Sequence, residues 1–290
     1  MKDNLSLSQA GWLYLLAMVA YGLVGGATQM RIGAGPQAKF WGWLAGLATA
    51  IALIFLLLRY WKVDRRPVLG LKAPTRSDLS GSLSLVGLQL LVQIPLAMAL
   101  AALIKTDVRP DLDWITSGLS PLGMAVIMLA VSLFEEFTFR GYLFSAARCL
   151  GDYPALLLTS AFFALNHGLT FPTAFIFGLV VGMMRLVTGS IWPAVLIHFV
   201  NNWGAALLSN AALAGRIALS QLGWGVIILS LLVAAAGWPA IRRYWQHWCQ
   251  LRRESPIRLG TALRGFLTPG IMKVNLIILV LITMLSTVAR

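Results

Sequence analysis

Three glutamates occur in the 290 residues of this chain, and two of them are neighbours inside an apolar stretch. Val131-Ser-Leu-Phe-Glu135-Glu136-Phe-Thr-Phe-Arg140-Gly141 sets two carboxylates and a guanidinium among Ile, Met, Leu, Ala, Val and Phe. An ionisable group at membrane depth costs roughly 2.5–3.5 kcal/mol on insertion scales, so groups that persist there usually serve a function. Two of the three histidines, His167 and His198, lie in similarly apolar surroundings downstream. Carboxylates and imidazoles together inside a bilayer point to proton-transfer chemistry.

Spacing sorts these groups. On a helix Glu136 and Arg140 share a face, and an internal ion pair lowers the cost of burying both. Glu135, rotated by about 100° on the same helix, is left without that partner and is the better candidate for a general base. Phe163-Ala-Leu-Asn-His167 puts a ring and an imidazole on one face, and His198-Phe-Val-Asn-Asn202 an imidazole and a carboxamide on another. Histidine and asparagine donors can stabilise an oxyanion in a dry site. Glu135 and His167 each stand sixteen residues from Gly151, so continuous helices would bring them to equal depth, about 24 Å from that turn. A break at Gly141, with residues 142–152 along the interface, would bring the site back toward the cytoplasm. An acidic pair alone also suits a proton relay or an ion site. A zinc site is conceivable from Glu135, Glu136, His167 and His198, but no His-Glu-x-x-His spacing is present and the cysteines are misplaced for a metal, so the favoured expectation is a site with no metal and no cofactor.

The elements that position these residues must be membrane helices. With 59% hydrophobic and 11% charged residues and a mean hydropathy of +0.80, an ordinary soluble domain is excluded. Stretches near the spanning length of about 20 residues fall at 10–29, 40–60, 82–104, 121–145, 153–170, 172–188, 190–209, 221–241 and 271–289. The expected fold is a single all-α domain over residues 1–290, a polytopic helical membrane bundle of about eight to nine transmembrane helices, with its motif-bearing core at about 121–209. Gly42-Trp-Leu-Ala-Gly46 and Gly178-Leu-Val-Val-Gly182 are small-residue patterns that let helices pack closely, here within one bundle. Residues 242–265 mix Arg with aromatics as a segment lying along the interface would.

A net charge of +13 invites a nucleic-acid reading, but its distribution is a topology signal instead. Arg59, Lys62, Arg65, Arg66, Lys72 and Arg76 crowd one loop, and Arg242, Arg243, Arg252, Arg253, Arg258, Arg264 and Lys273 another. The loop after the third span holds Asp107, Asp111 and Asp113 against Lys105 and Arg109. Basic loops placed in the cytoplasm give one alternation over nine spans, with sixteen Lys/Arg inside, six outside and Arg140 within the membrane. The N-terminus is then cytoplasmic and the C-terminus outside, in a bacterial plasma membrane. Gly25-Gly26-Ala27 loosely resembles a cleavage site, but the alternation needs the first helix, which we read as an uncleaved anchor. Cys149 and Cys249 both map to the reducing inner side.

The ordered set Glu135-Glu136-x-x-x-Arg140, Phe163-x-x-x-His167 and His198-x-x-x-Asn202 resembles the motifs of the CAAX-protease and bacteriocin-processing (CPBP, or Abi) intramembrane proteases, relatives of the Ras-converting prenyl endopeptidases. The resemblance covers about residues 121–209, with all three motifs intact. It implies a polyhelical membrane endopeptidase that cuts near the C-terminus of a membrane-associated protein or peptide, lipidated in some cases. By the same resemblance Glu135 activates water together with His167, His198 and Asn202 hold the oxyanion, and Glu136, Arg140 and Phe163 support the site. Prenylated CAAX proteins, peptide pheromones or bacteriocins, and sorting-tagged surface proteins are all substrates within that family. The expected partners are such a substrate and membrane lipids, with no nucleic acid. The alternative is a non-proteolytic membrane protein, either a bacteriocin immunity or scaffold protein or a proton-coupled transporter. A transporter would more often show inverted repeats with broken helices in matching halves, and no such pairing is evident.

Overall fold

Ser6 opens the first helix, α1 (Leu7–Ile32), by accepting the Gln9 backbone N–H while the Gln9 side chain accepts the Ser6 backbone N–H. This reciprocal cap satisfies donors that a helix start would leave bare. The computed structural model describes residues 5–104, 118–213, 219–255 and 258–288. After a short turn α2 (Pro36–Tyr60) runs back along α1. Glycines set the closeness of that pair. A Cβ at Gly46 would stand 2.6 Å from the Tyr21 carbonyl oxygen, and one at Gly25 would stand 3.0 Å from that of Gly42. The first small-residue pattern therefore packs within the bundle, as expected.

A short helix α3 (Arg65–Leu69) is capped by Asp64 and ended by Gly70, whose φ of 70° suits glycine. It leads to α4 (Arg76–Ile104). The helix that carries the glutamates, α5 (Pro121–Glu136), starts at Ser120, whose hydroxyl accepts the Gly123 N–H, with Pro121 pre-setting the first turn. A seven-residue π turn over Phe137–Leu143 follows, then α6 (Phe144–Ala147) and a tight turn at Arg148–Leu150. Beyond lie α7 (Asp152–Leu165), α8 (Phe171–Thr188) and α9 (Trp192–Leu213). The chain continues through α10 (Leu219–Ala236), α11 (Trp238–Glu254), α12 (Leu259–Leu267) and α13 (Gly270–Val288). Among the described residues no strand forms beyond isolated bridges, one of which pairs Leu71 with Ser190.

The core lies where α5, α7, α8 and α9 meet, with α1 and α2 on one side and α4 and α10 on the other. α7 and α8 pack through Gly178 and Gly182: a Cβ at Gly178 would stand 3.1 Å from Ser160 Cβ, and one at Gly182 would strike Leu156. Outward faces are apolar, with Leu16, Val19, Leu23, Trp41 and Leu56 among the exposed side chains, as lipid-facing helices require.

The fold is thus a helical membrane bundle, but its spans count differently from the hydropathy expectation. Among the described residues four helices are long and apolar enough to cross a membrane, and up to six if each of two bent pairs is one span. Eight or nine spans are not reached by this measure. Over the expected span at 153–170, α7 has 14 residues and is about 21 Å long, short of a hydrocarbon core of about 30 Å. The bent pairs turn by 77° between Ile227–Ala236 and Trp238–Glu254, and by 97° between Leu259–Leu267 and Gly270–Leu281. These turns set the Arg- and Trp-rich α11 and the amphipathic α12 across the direction of their neighbours. The acidic loop with Asp107, Asp111 and Asp113 lies outside the described residues.

Candidate active site in the helical core

Glu135 and Glu136 end α5 where the backbone widens into the π turn, and Gly141 within it departs from helical geometry (φ −84°, ψ −106°). π turns inside helices recur at functional sites, and this one keeps the Glu136–Arg140 pairing while bending the chain below it. A Cβ at Gly141 would stand 2.9 Å from Leu69 Cδ2, so the bend also admits α3. The two-helix depth argument therefore rests on helices that are not continuous: α5 breaks at Gly141 and α7 stops at Leu165. His167 instead sits in the turn that follows α7.

The charged groups form one cluster. Arg140 Nη1 donates to Glu136 Oε1 at 3.0 Å, and Arg140 Nη2 to the Gly178 carbonyl at 3.3 Å. The guanidinium also lies over the Phe163 ring, 4.2 Å from its centroid, a cation–π contact that strengthens when dry. His198 stands between the glutamates: Nδ1 is 2.7 Å from Glu136 Oε1 and Nε2 is 3.3 Å from Glu135 Oε2. A ring with hydrogens on both nitrogens donates toward both carboxylates; a neutral ring serves one. Two carboxylates facing a guanidinium and an imidazole offset each other's charge, which is what burial at 0% exposure for Glu136 and 2% for Arg140 and His198 demands. Glu135 keeps 22% of its side chain exposed.

The end of α7 shows how His167 is oriented. Its last turn tightens, with the Asn166 N–H donating to Phe163 O and the His167 N–H to Ala164 O. Two side chains then serve the carbonyls one step further back: Asn166 Nδ2 donates to Phe162 O at 3.0 Å, and His167 Nδ1 lies 3.0 Å from Phe163 O. A carbonyl can only accept, so Nδ1 carries the hydrogen and Nε2 is left as an acceptor. The imidazole lies 4.4 Å from the Phe163 centroid and within electrostatic reach of Glu135, His198 and Arg140. Asn202 accepts from its neighbour Asn201 at 3.3 Å. Among the described residues no hydrogen bond joins Asn202 to Glu135, His167 or His198.

Four participants went unread in the sequence. Phe177 packs edge-on against His198, with centroids 4.9 Å apart. The Gly178 carbonyl takes the second arm of Arg140. Asn166, in the second motif beside His167, holds the end of α7, and its four-residue spacing from Phe162 was the available signal. Tyr14 donates to Asn166 Oδ1 at 3.0 Å across 152 residues of chain, and no local pattern could have pointed to it. As for metal binding, both ring nitrogens of His198 face carboxylate oxygens, and no three His, Cys, Asp or Glu side chains meet as ligands among the described residues.

Apolar helices of spanning length around a buried glutamate–histidine–arginine cluster define a helical membrane protein with ionisable groups gathered in its core. Its central segment is Rce1-like: residues 117–204 match the family model described as type II CAAX prenyl endopeptidase Rce1-like. That span holds all three motifs and agrees with the resemblance read from the sequence. Residues 218–243, covering α10 and the start of α11, match an IPTL-CTERM motif. No curated protein and no solved structure matches the chain significantly.

Proposed function

We propose that this chain is an intramembrane endopeptidase of the CAAX type. It hydrolyses a peptide bond near the C-terminus of a membrane-associated protein or peptide, with water activated by Glu135 and His167. The observation that carries this reading is the meeting of Glu135, Glu136, Arg140 and His198 in one cluster inside the Rce1-like segment.

Glu135 Oε2 is buried, with His198 Nε2 at 3.3 Å as a contact but no aligned hydrogen bond among the described residues, and His167 Nε2 is an acceptor. Two acceptors holding both hydrogens of one water turn its lone pair toward a substrate carbonyl. Glu135 takes the proton as the C–O bond forms. In this reading the resulting oxyanion accepts from His198 Nε2 and from the Asn202 amide, worth about 2.7–4 kcal/mol per donor in comparable sites. Glu135 then returns its proton to the departing nitrogen as the C–N bond breaks, leaving a carboxylic acid and an amine. Glu136 and Arg140 stay paired throughout and fix the histidine.

Glu135→Gln is nearly isosteric and removes only the base. In purified protein acting on a membrane-anchored CAAX reporter, kcat should fall by about 10²–10⁴ with the melting temperature unchanged. Full activity of the variant would end the assignment.

A further inference from the structure

We propose that Tyr14, on a helix outside the Rce1-like segment, is a positioning residue of the site: its hydroxyl clamps Asn166 and thereby fixes the turn that presents His167. The proposal rests on the endopeptidase reading for its catalytic consequence, though not for its structural one.

The turn after α7 is held by side chains as well as by its tightened backbone pairing. Phe162 O and Phe163 O take their bonds from Asn166 Nδ2 and His167 Nδ1. Asn166 is an amide whose oxygen and nitrogen ends could exchange by rotation about its last bond. The Phe162 carbonyl, which can only accept, fixes the orientation with Nδ2 toward it, and the Tyr14 hydroxyl donates to the remaining Oδ1 at 3.0 Å and tethers that end to α1. Without it, Asn166 loses its tether to α1, and the backbone that carries His167 is freed with it. The bond from His167 Nδ1 to Phe163 O, which leaves Nε2 as the acceptor, depends on that backbone.

Tyr14 is itself rigid. It is 3% exposed, and its ring packs at 5.2 Å from Phe162 and 6.1 Å from Phe139. One turn away, Asn275 of α13 donates to the Gly11 carbonyl at 2.8 Å, and Gly11 abuts Ile271 and Met272. α1 is thereby locked where Tyr14 projects. A tyrosine retained in an apolar span needs a partner for its hydroxyl, and here that partner adjoins His167.

The test uses the full chain in detergent, with Tyr14→Phe removing only the hydroxyl. The 15N resonances of His167, assigned with His167→Gln, report its tautomer without any substrate. Wild type should show the Nδ1–H form alone; Y14F should show a mixture or exchange broadening. On the CAAX reporter, Y14F should lower kcat by about tenfold to a hundredfold with KM within about twofold, a misplacement effect. Asn166→Leu should produce the same loss, and the double variant no further one. A Y14F spectrum identical to wild type overturns the proposal whatever the rate. A shifted tautomer with unchanged kcat, in a preparation whose wild type cleaves, overturns it as well. If wild type cleaves no reporter the endopeptidase reading fails, and the spectra alone decide the positioning role.

Discussion

Glu136 Oε1 accepts at 3.0 Å from Arg140 and lies 2.7 Å from His198 Nδ1, so one buried oxygen contacts both the guanidinium and the imidazole. Glu135, by contrast, meets the histidine alone and keeps part of its surface open. Neighbouring residues of one type are thereby given different surroundings by the helix turn between them. Glu136→Gln leaves Arg140 and His198 buried without their counter-charge. Breaking such a pair from one side costs about 3–5 kcal/mol. The expected outcome is low yield and a clearly depressed melting temperature in detergent, unlike Glu135→Gln. Equal, purely catalytic losses for the two variants, with stability unchanged, would reject the division of roles.

At the scale of elements, the site depends on how closely α8 approaches α7 and the π turn. Gly178 contributes a carbonyl to Arg140 and no side chain; an added Cβ would stand 3.1 Å from Ser160 Cβ and 3.4 Å from Arg140 Nη2. Gly178→Ala asks for a few tenths of an ångström, whereas Gly178→Leu must push α8 outward. Overpacking of this kind costs about 1–3 kcal/mol, and here the displaced carbonyl also releases Arg140. Gly178→Leu should therefore lower both the melting temperature and kcat, with Gly178→Ala intermediate. A fully active, fully stable Leu variant would show that the α7–α8 contact does not position the site. The π turn is the second device: it bends the chain after the glutamates, so that Tyr142, Leu143 and Phe144 are buried in the core below them.

At the scale of the molecule, side chains at the ends of α6 and α8 bind the backbone of the loop after α2. Arg185 Nη2 donates to Pro67 O at 2.9 Å, the Ser190 hydroxyl to Lys72 O at 2.6 Å, and the Ser145 hydroxyl to Val68 O at 2.7 Å. The basic loop after α2 is thereby tied to the ends of α6 and α8. If this end is cytoplasmic, exposed Cys149 offers a direct test in a Cys249→Ser background. A membrane-impermeant maleimide should leave Cys149 unmodified in intact cells and label it in inside-out vesicles. Labelling in intact cells would reverse the orientation.

Composition and periodicity determined the class of fold, because lipid leaves a chain of this hydropathy few options besides satisfying its backbone in helices. They also marked Glu135, Glu136, Arg140, His167 and His198, because charge in an apolar run is costly enough to stand out. The Glu136–Arg140 pair was legible for a local reason: both residues lie on one turn of one helix. His198 between the glutamates, Phe163 beneath the guanidinium and Tyr14 on Asn166 were not legible, since each joins helices whose relative rotation no single segment specifies. The break at Gly141 could be posed as an option but not chosen, because the room made for Leu69 is a property of the packed bundle. Local spacing thus marked the candidate groups, while tertiary packing decided which of them touch, since contact between helices depends on rotation and depth together.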